Sequence, residues 1–157
     1  MKYRILTNEE LAILEKDFVA FLIVNGIEGD MWAQINQDEP DKAIELVELF
    51  SDTVLQKVYE KIFYLEKRSE ESCMVFYIGE KDMQLIVLSR KSDSTIDLST
   101  PELIHEALTN KLSDLEVFSS KKSLNKTHEL EVHDLITSGC VLSEKSFWTS
   151  LKTAFGL

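Results

Sequence analysis

The chain is short of basic residues, of glycine and of cysteine, and each shortage excludes a class of function. Seventeen lysines and arginines stand against 28 aspartates and glutamates, giving a net charge of −11. Phosphate backbones are bound chiefly by Lys and Arg that neutralise them, so this field disfavours nucleic acid and anionic membranes as partners. With five glycines in 157 residues, and no P-loop or G-x-G-x-x-G, loops that cradle phosphate are excluded. A G-x-S-x-G nucleophile elbow is also missing. Cys73 and Cys140 lie far apart with no CxxC pairing, in a chain that opens MKYRILTNEE without an apolar signal core. A cytoplasmic protein with reduced thiols is the expectation. Both cysteines read as small buried hydrophobes. The most apolar window, Phe18 to Ile27, spans only about ten residues and follows Glu15, Lys16 and Asp17, too short and too charged to cross a bilayer.

What is present is an ordinary globular composition, 44% hydrophobic and 29% charged, enough for a core without disulfides or metal. There are no internal repeats or linkers, so residues 1–157 are read as a single domain. The acidity is mostly N-terminal: residues 1–72 hold 8 basic and 16 acidic side chains, residues 73–157 hold 9 and 12.

The dominant pattern lies between Asp41 and Arg68. Ala43, Val47, Phe50, Val54, Val58, Ile62 and Leu65 follow one another at steps of three or four, the spacing of a helical stripe. Glu45, Glu48, Asp52, Gln56 and Glu60 repeat at the same spacing on an acidic face. Pro40 suits the first turn, acids precede it, and Lys67 and Arg68 close the far end, in accord with the helix dipole. The pattern predicts a long amphipathic helix over 41–68, with Val58 and Phe50 in its buried seam.

Around it, Thr7 with Glu10 forms a capping box for a helix over Asn8–Asn25, stopped by Gly26. A short Trp-containing helix or turn follows Asp30, and Ser69 to Ser72 is a polar break. The runs CMVFYI and MQLIVLSR, joined by a tight polar turn, predict a β-hairpin over 73–90, covered on both faces because Gln84 to Leu88 lacks a polar side. Ser99, Pro101 and Glu102 cap a helix to about Asn110. A third strand is expected near 115–119, then a mobile SSKKS loop. The segment 127–138 has features of both helix and strand and is assigned as helix on the strength of Val132, Leu135, Ile136 and the stop at Gly139. Ser143 is read as the cap of a last helix carrying Phe147, Trp148 and Leu151.

Candidate chemistry is sparse. Glu102-Leu-Ile-His105 has the Glu-x-x-His spacing of di-iron carboxylate bundles, which point a carboxylate and an imidazole from one helix face. Such sites need a second copy of the motif and two more glutamates, and only Glu45 with Glu48 offers a complement. His105-Glu106 also begins a zinc-protease pattern, but Thr109 stands where the second ligand belongs. His128 and His133 sit among Glu129, Glu131 and Asp134 at a spacing that puts them on different faces, and read as solvated.

The opening KYRILTNEEL and the run ELVELFSDTVLQKVYEKI, leading to LEKRS and CMVF, resemble a family of small uncharacterised bacterial cytoplasmic proteins. The resemblance covers the N-terminal half best. It implies no activity and carries no functional residue across.

These readings combine into an α+β protein: a small antiparallel sheet packed against the 41–68 helix and several shorter helices. The functional expectation is a non-enzymatic cytoplasmic interaction or adaptor protein, with no cofactor and with homodimerisation open. Glu45, Glu48 and Asp52 would be the docking strip for a basic protein partner. Two alternatives stand beside it: a metal-binding protein or enzyme using Glu102 and His105, and a small acidic chaperone for a basic client.

Overall fold

The computed structural model describes residues Met1–Leu157 and divides them into two compact units, Met1–Val58 and Tyr59–Leu157. The architecture is α+β, with seven helices and one five-stranded antiparallel sheet. No helix is long and apolar enough to cross a membrane.

The first unit is helical: α1 (Asn8–Ile13), α2 (Glu15–Val24), α3 (Met31–Asp38) and α4 (Pro40–Tyr59), the last ending at the unit boundary. The Thr7–Glu10 capping box forms as its residues predict, each side chain serving the other's backbone N–H. The single helix expected over Asn8–Asn25 is instead two, because Leu14 leaves helical geometry at φ −96° and ψ 17°. Gly26 adopts φ +79° after α2 and Gly139 φ +106° after the sixth helix, conformations that side chains with a Cβ rarely take. Leu22, Ile27, Ile35 and Ala43 make the centre of this unit, flanked by Phe18, Phe21, Trp32 and Leu46. Phe18 packs edge-on to Trp32 at 5.1 Å and lies 5.0 Å from Phe50.

The long helix is shorter than its pattern. It ends at Tyr59, and Tyr64–Arg68 is strand β1. Leu65, assigned by spacing to the helical seam, is fully buried in a strand and paired on both sides, with Phe76 and Leu142. An apolar residue every third or fourth position also satisfies a strand that follows a turn, and sheet pairing decides between them. The true buried stripe of α4 is Ala43, Phe50, Ser51, Leu55 and Tyr59, whereas Val58 is 46% exposed.

In the second unit β2 (Ser72–Ile78) and β3 (Asp82–Arg90) form the predicted hairpin. The expected sheet of two or three strands proves larger. With β4 (Leu115–Ser123) and β5 (Val141–Leu142), the order is β4-β3-β2-β1-β5, antiparallel throughout. The SSKKS segment is no loop: it continues β4 in register against β3 as far as Ser123 opposite Asp82. Its polar composition reflects an exposed edge rather than a break.

Helices α5 (Pro101–Asn110) and α7 (Lys145–Phe155) cover one face of this sheet. Ile104 and Ala107 from α5 and Trp148 and Leu151 from α7 pack with Cys73, Val75, Ile86 and Leu88. Helix α6 (His128–Thr137), assigned correctly as helix, packs against β1 and β2. It lies on the opposite face, for Lys67, which alternation turns away from Glu66 and Arg68, donates to the Ser138 carbonyl beyond the end of α6 at 2.8 Å. Two caps differ from expectation. The α5 cap is Thr100, whose hydroxyl accepts from the Leu103 N–H, and the α7 cap position is Glu144.

Candidate functional site

Strand alternation builds the floor of the most site-like feature. In β1, Tyr64, Glu66 and Arg68 share the face under α5 and α7. Tyr64 enters the apolar layer, with its ring 5.3 Å from Tyr77 and 6.3 Å from Trp148. Glu66 has no apolar option. Its side chain is 5% exposed and its Oε2 accepts from Arg68 Nη2 at 2.6 Å. A carboxylate so placed is tolerable only with a charged, hydrogen-bonded partner. Cys73, opposite Arg68 in the ladder, brings its Sγ to 4.0 Å from the same Glu66 oxygen. Burial, and after it the Glu66 charge, pushes the Cys73 thiol up to about 12, against a smaller opposing effect of Arg68. The thiol therefore stays a neutral S–H donor.

Above this pair lies a cleft of about 350 Å³. Pro101, His105 and Leu108 of α5 line one side, Ser143 and Glu144 just before α7 with Phe147 and Ser150 on it the other, and Leu142 of β5 completes the lining. The α5 residues are spaced by four and three and so share a stripe. Two polar atoms in this lining are buried and lack a hydrogen-bond partner: Arg68 Nε and Ser143 Oγ. Ser143 stands one residue before the α7 cap, so its hydroxyl is not engaged in capping, and Glu144 supplies no side-chain cap either. The Glu144 carboxylate instead accepts from the Ser146 hydroxyl at 3.2 Å. Native structures leave few buried polar groups unsatisfied, and two on residues that line one cleft suit a ligand that presents a hydrogen-bond acceptor.

The residues singled out from the sequence fall in different places. Glu102 and His105 are both exposed on α5; His105 lines the cleft and Glu102 does not. No group of three or more His, Cys, Asp or Glu side chains is gathered as a metal site. Glu45 is exposed and Glu48 half-buried. Asp52 is held internally, accepting from the backbone N–H groups of Lys2 at 2.5 Å and Tyr3 at 2.9 Å. His128, read as solvated, is 9% exposed, with Nδ1 3.0 Å from the Gly79 carbonyl and Nε2 3.2 Å from that of Tyr59. It lies between the β2–β3 turn and Tyr59, all within the second unit. His133 lies half-buried, its Nδ1 3.2 Å from the Tyr59 hydroxyl.

Glu66, Arg68, Ser143 and Phe147 were not recognised as cleft residues from sequence. The signal available was the period-two alternation of YLEKR, which the longer helical pattern masked. No curated protein and no solved structure matches the chain. A family model described as Family of unknown function (DUF6495) matches residues 1–156, and the chain belongs to that family.

Proposed function

We propose that this chain is a non-enzymatic protein-interaction or adaptor protein of the bacterial cytoplasm, and that its partner seats a hydrogen-bond acceptor in the α5–α7 cleft. The observation that carries the reading is the pair of unpartnered buried atoms, Arg68 Nε and Ser143 Oγ, beneath an apolar wall of Leu108 and Phe147. A main-chain carbonyl or side-chain amide would satisfy both donors, while the existing Glu66–Arg68 pair leaves little net charge on the floor to demand an ion. The exposed edge strand β5 beside the cleft, with Val141 and Leu142 at 55% and 67% exposure, adds apolar surface where an extended segment could lie. The net charge of −11 favours a basic partner steered electrostatically, with Glu45 and Glu48 available for that role.

The test is selection of displayed peptides against the full chain, followed by affinity measurement on variants. His105→Trp fills the cleft from an exposed position, and Ser143→Ala removes one donor. Selected peptides should lose at least roughly tenfold in affinity in each variant, the order expected for one buried hydrogen bond to a partner. Peptides that bind both variants as well as the parent would locate the interaction elsewhere.

A further inference from the structure

The sheet has two open edges, and they differ. Strand β5 is two residues long, whereas β4 runs nine residues, Leu115–Ser123, with β3 on one side and no strand on the other. Every residue from Phe118 to Ser123 is exposed. An uninterrupted edge of that length is a template for another strand. Proteins blunt such edges with lysine, and Lys121 and Lys122 invite that explanation. Lys121, however, is engaged within its own sheet, its Nζ 3.0 Å from Asp82. Lys122 and Glu116 make no ion pair in the chain.

We infer that β4 is a self-pairing edge, and that its occupant is β4 of a second copy of this chain, antiparallel about a two-fold axis through Ser119. The charge pattern selects the register. Pairing Ser119 with its own counterpart sets Glu116 opposite Lys122 of the second copy, and symmetry repeats the contact, so both unpaired charges find opposite partners. Alternation places Glu116, Phe118, Ser120 and Lys122 on one face. In this register Phe118 stands opposite Ser120 and diagonal to the second Phe118, a separation of about 7–8 Å that aromatic side chains reach across. Phe118 is 61% exposed, and its ladder neighbour Val87 is half-buried. The two sheets would join into one of ten strands, with an apolar strip across the seam. A shift by one residue would set Glu116 against Lys121, which Asp82 already holds, and leave Lys122 against Leu115.

Charge exchange tests this directly. Sedimentation velocity over a wide concentration range should show a monomer–dimer equilibrium for the parent chain. Glu116→Lys and Lys122→Glu should each weaken dimerisation by roughly tenfold, because symmetry turns two attractive cross-strand pairs into two repulsive ones. The double exchange should restore it. Phe118→Ala should weaken it without altering charge. All three positions are exposed on the edge strand, and unchanged thermal midpoints confirm that the fold is intact. A chain that stays monomeric at every concentration overturns the inference. So does a dimer indifferent to the single exchanges, or a foreign strand captured on β4 by a monomer.

Discussion

Glu66 and Arg68 stand two residues apart on one face of β1, carboxylate to guanidinium at 2.6 Å, in a layer otherwise made of Tyr64, Cys73, Val75 and Trp148. Sequence neighbours at i and i+2 meet this way only in a strand. Removing one member strands the other. Arg68→Met should cost about 3 kcal/mol in urea denaturation, the lower end of the range for a broken buried pair because Arg68 keeps some access to water. Replacing both residues by apolar ones should recover most of that loss. A cost under about 1 kcal/mol for Arg68→Met would mean that the pair behaves as a surface contact.

Cys73 offers a chemical readout of the same floor. Its thiol, fully buried and raised to about 12, should resist iodoacetamide in the folded protein and react promptly in denaturant. The sign of the pH effect follows from proton binding. Between the ordinary thiol value and about 12 the folded state holds a proton that the unfolded state has released. Stability should therefore be fully present below about pH 9 and fall as pH rises above it, by up to about 1.4 kcal/mol per pH unit. Cys73→Ser should flatten that alkaline slope. Stoichiometric alkylation of Cys73 in the native chain at neutral pH would contradict the burial.

The His128 ring lies between two backbone carbonyls, of Gly79 and Tyr59, and the Tyr59 carbonyl also accepts from the Ile62 N–H at 3.1 Å. His128→Leu keeps the apolar volume but removes the ring's hydrogen bonding to these carbonyls, and should cost about 1–3 kcal/mol by thermal or chemical denaturation. His105→Ala, at an exposed position of α5, should stay within about 0.5 kcal/mol of the parent. Equal effects at the two histidines would refute the bridging role.

Helix α4 supplies a paired prediction. Phe50, 3% exposed and in ring contact with Phe18 and Phe21, should cost about 3–5 kcal/mol as Phe50→Ala. Val58→Asp should be mild, since Val58 is 46% exposed. On the acidic side, Glu45→Lys with Glu48→Lys should leave stability nearly unchanged and slow the association of a basic partner, most clearly at low salt. Asp52→Lys should destabilise, because it removes the acceptor for the Lys2 and Tyr3 N–H groups. Circular dichroism melts separate these cases.

The features legible in the chain are those settled within a turn or two of backbone. Thr7 and Glu10 close a capping box because three residues separate them, and Gly26 and Gly139 end helices because the stop needs positive φ. The hairpin over 73–90 was readable from two β-rich runs and one turn. Mixed α+β class followed from the same local signals. What only the tertiary structure decided concerns long-range pairing. LEKR satisfied a helical stripe and a strand equally, and became β1 because β2 and β5 lie on either side of it. SSKKS carries no strand propensity worth the name, yet β3 gives its backbone a ladder. His128 is buried and Val58 exposed for a like reason: periodicity states which residues share a face, but packing alone states which face meets another element. The cleft is the extreme case, since Arg68, His105 and Ser143 are brought together by the sheet and two helices from positions tens of residues apart, a proximity that no local spacing encodes.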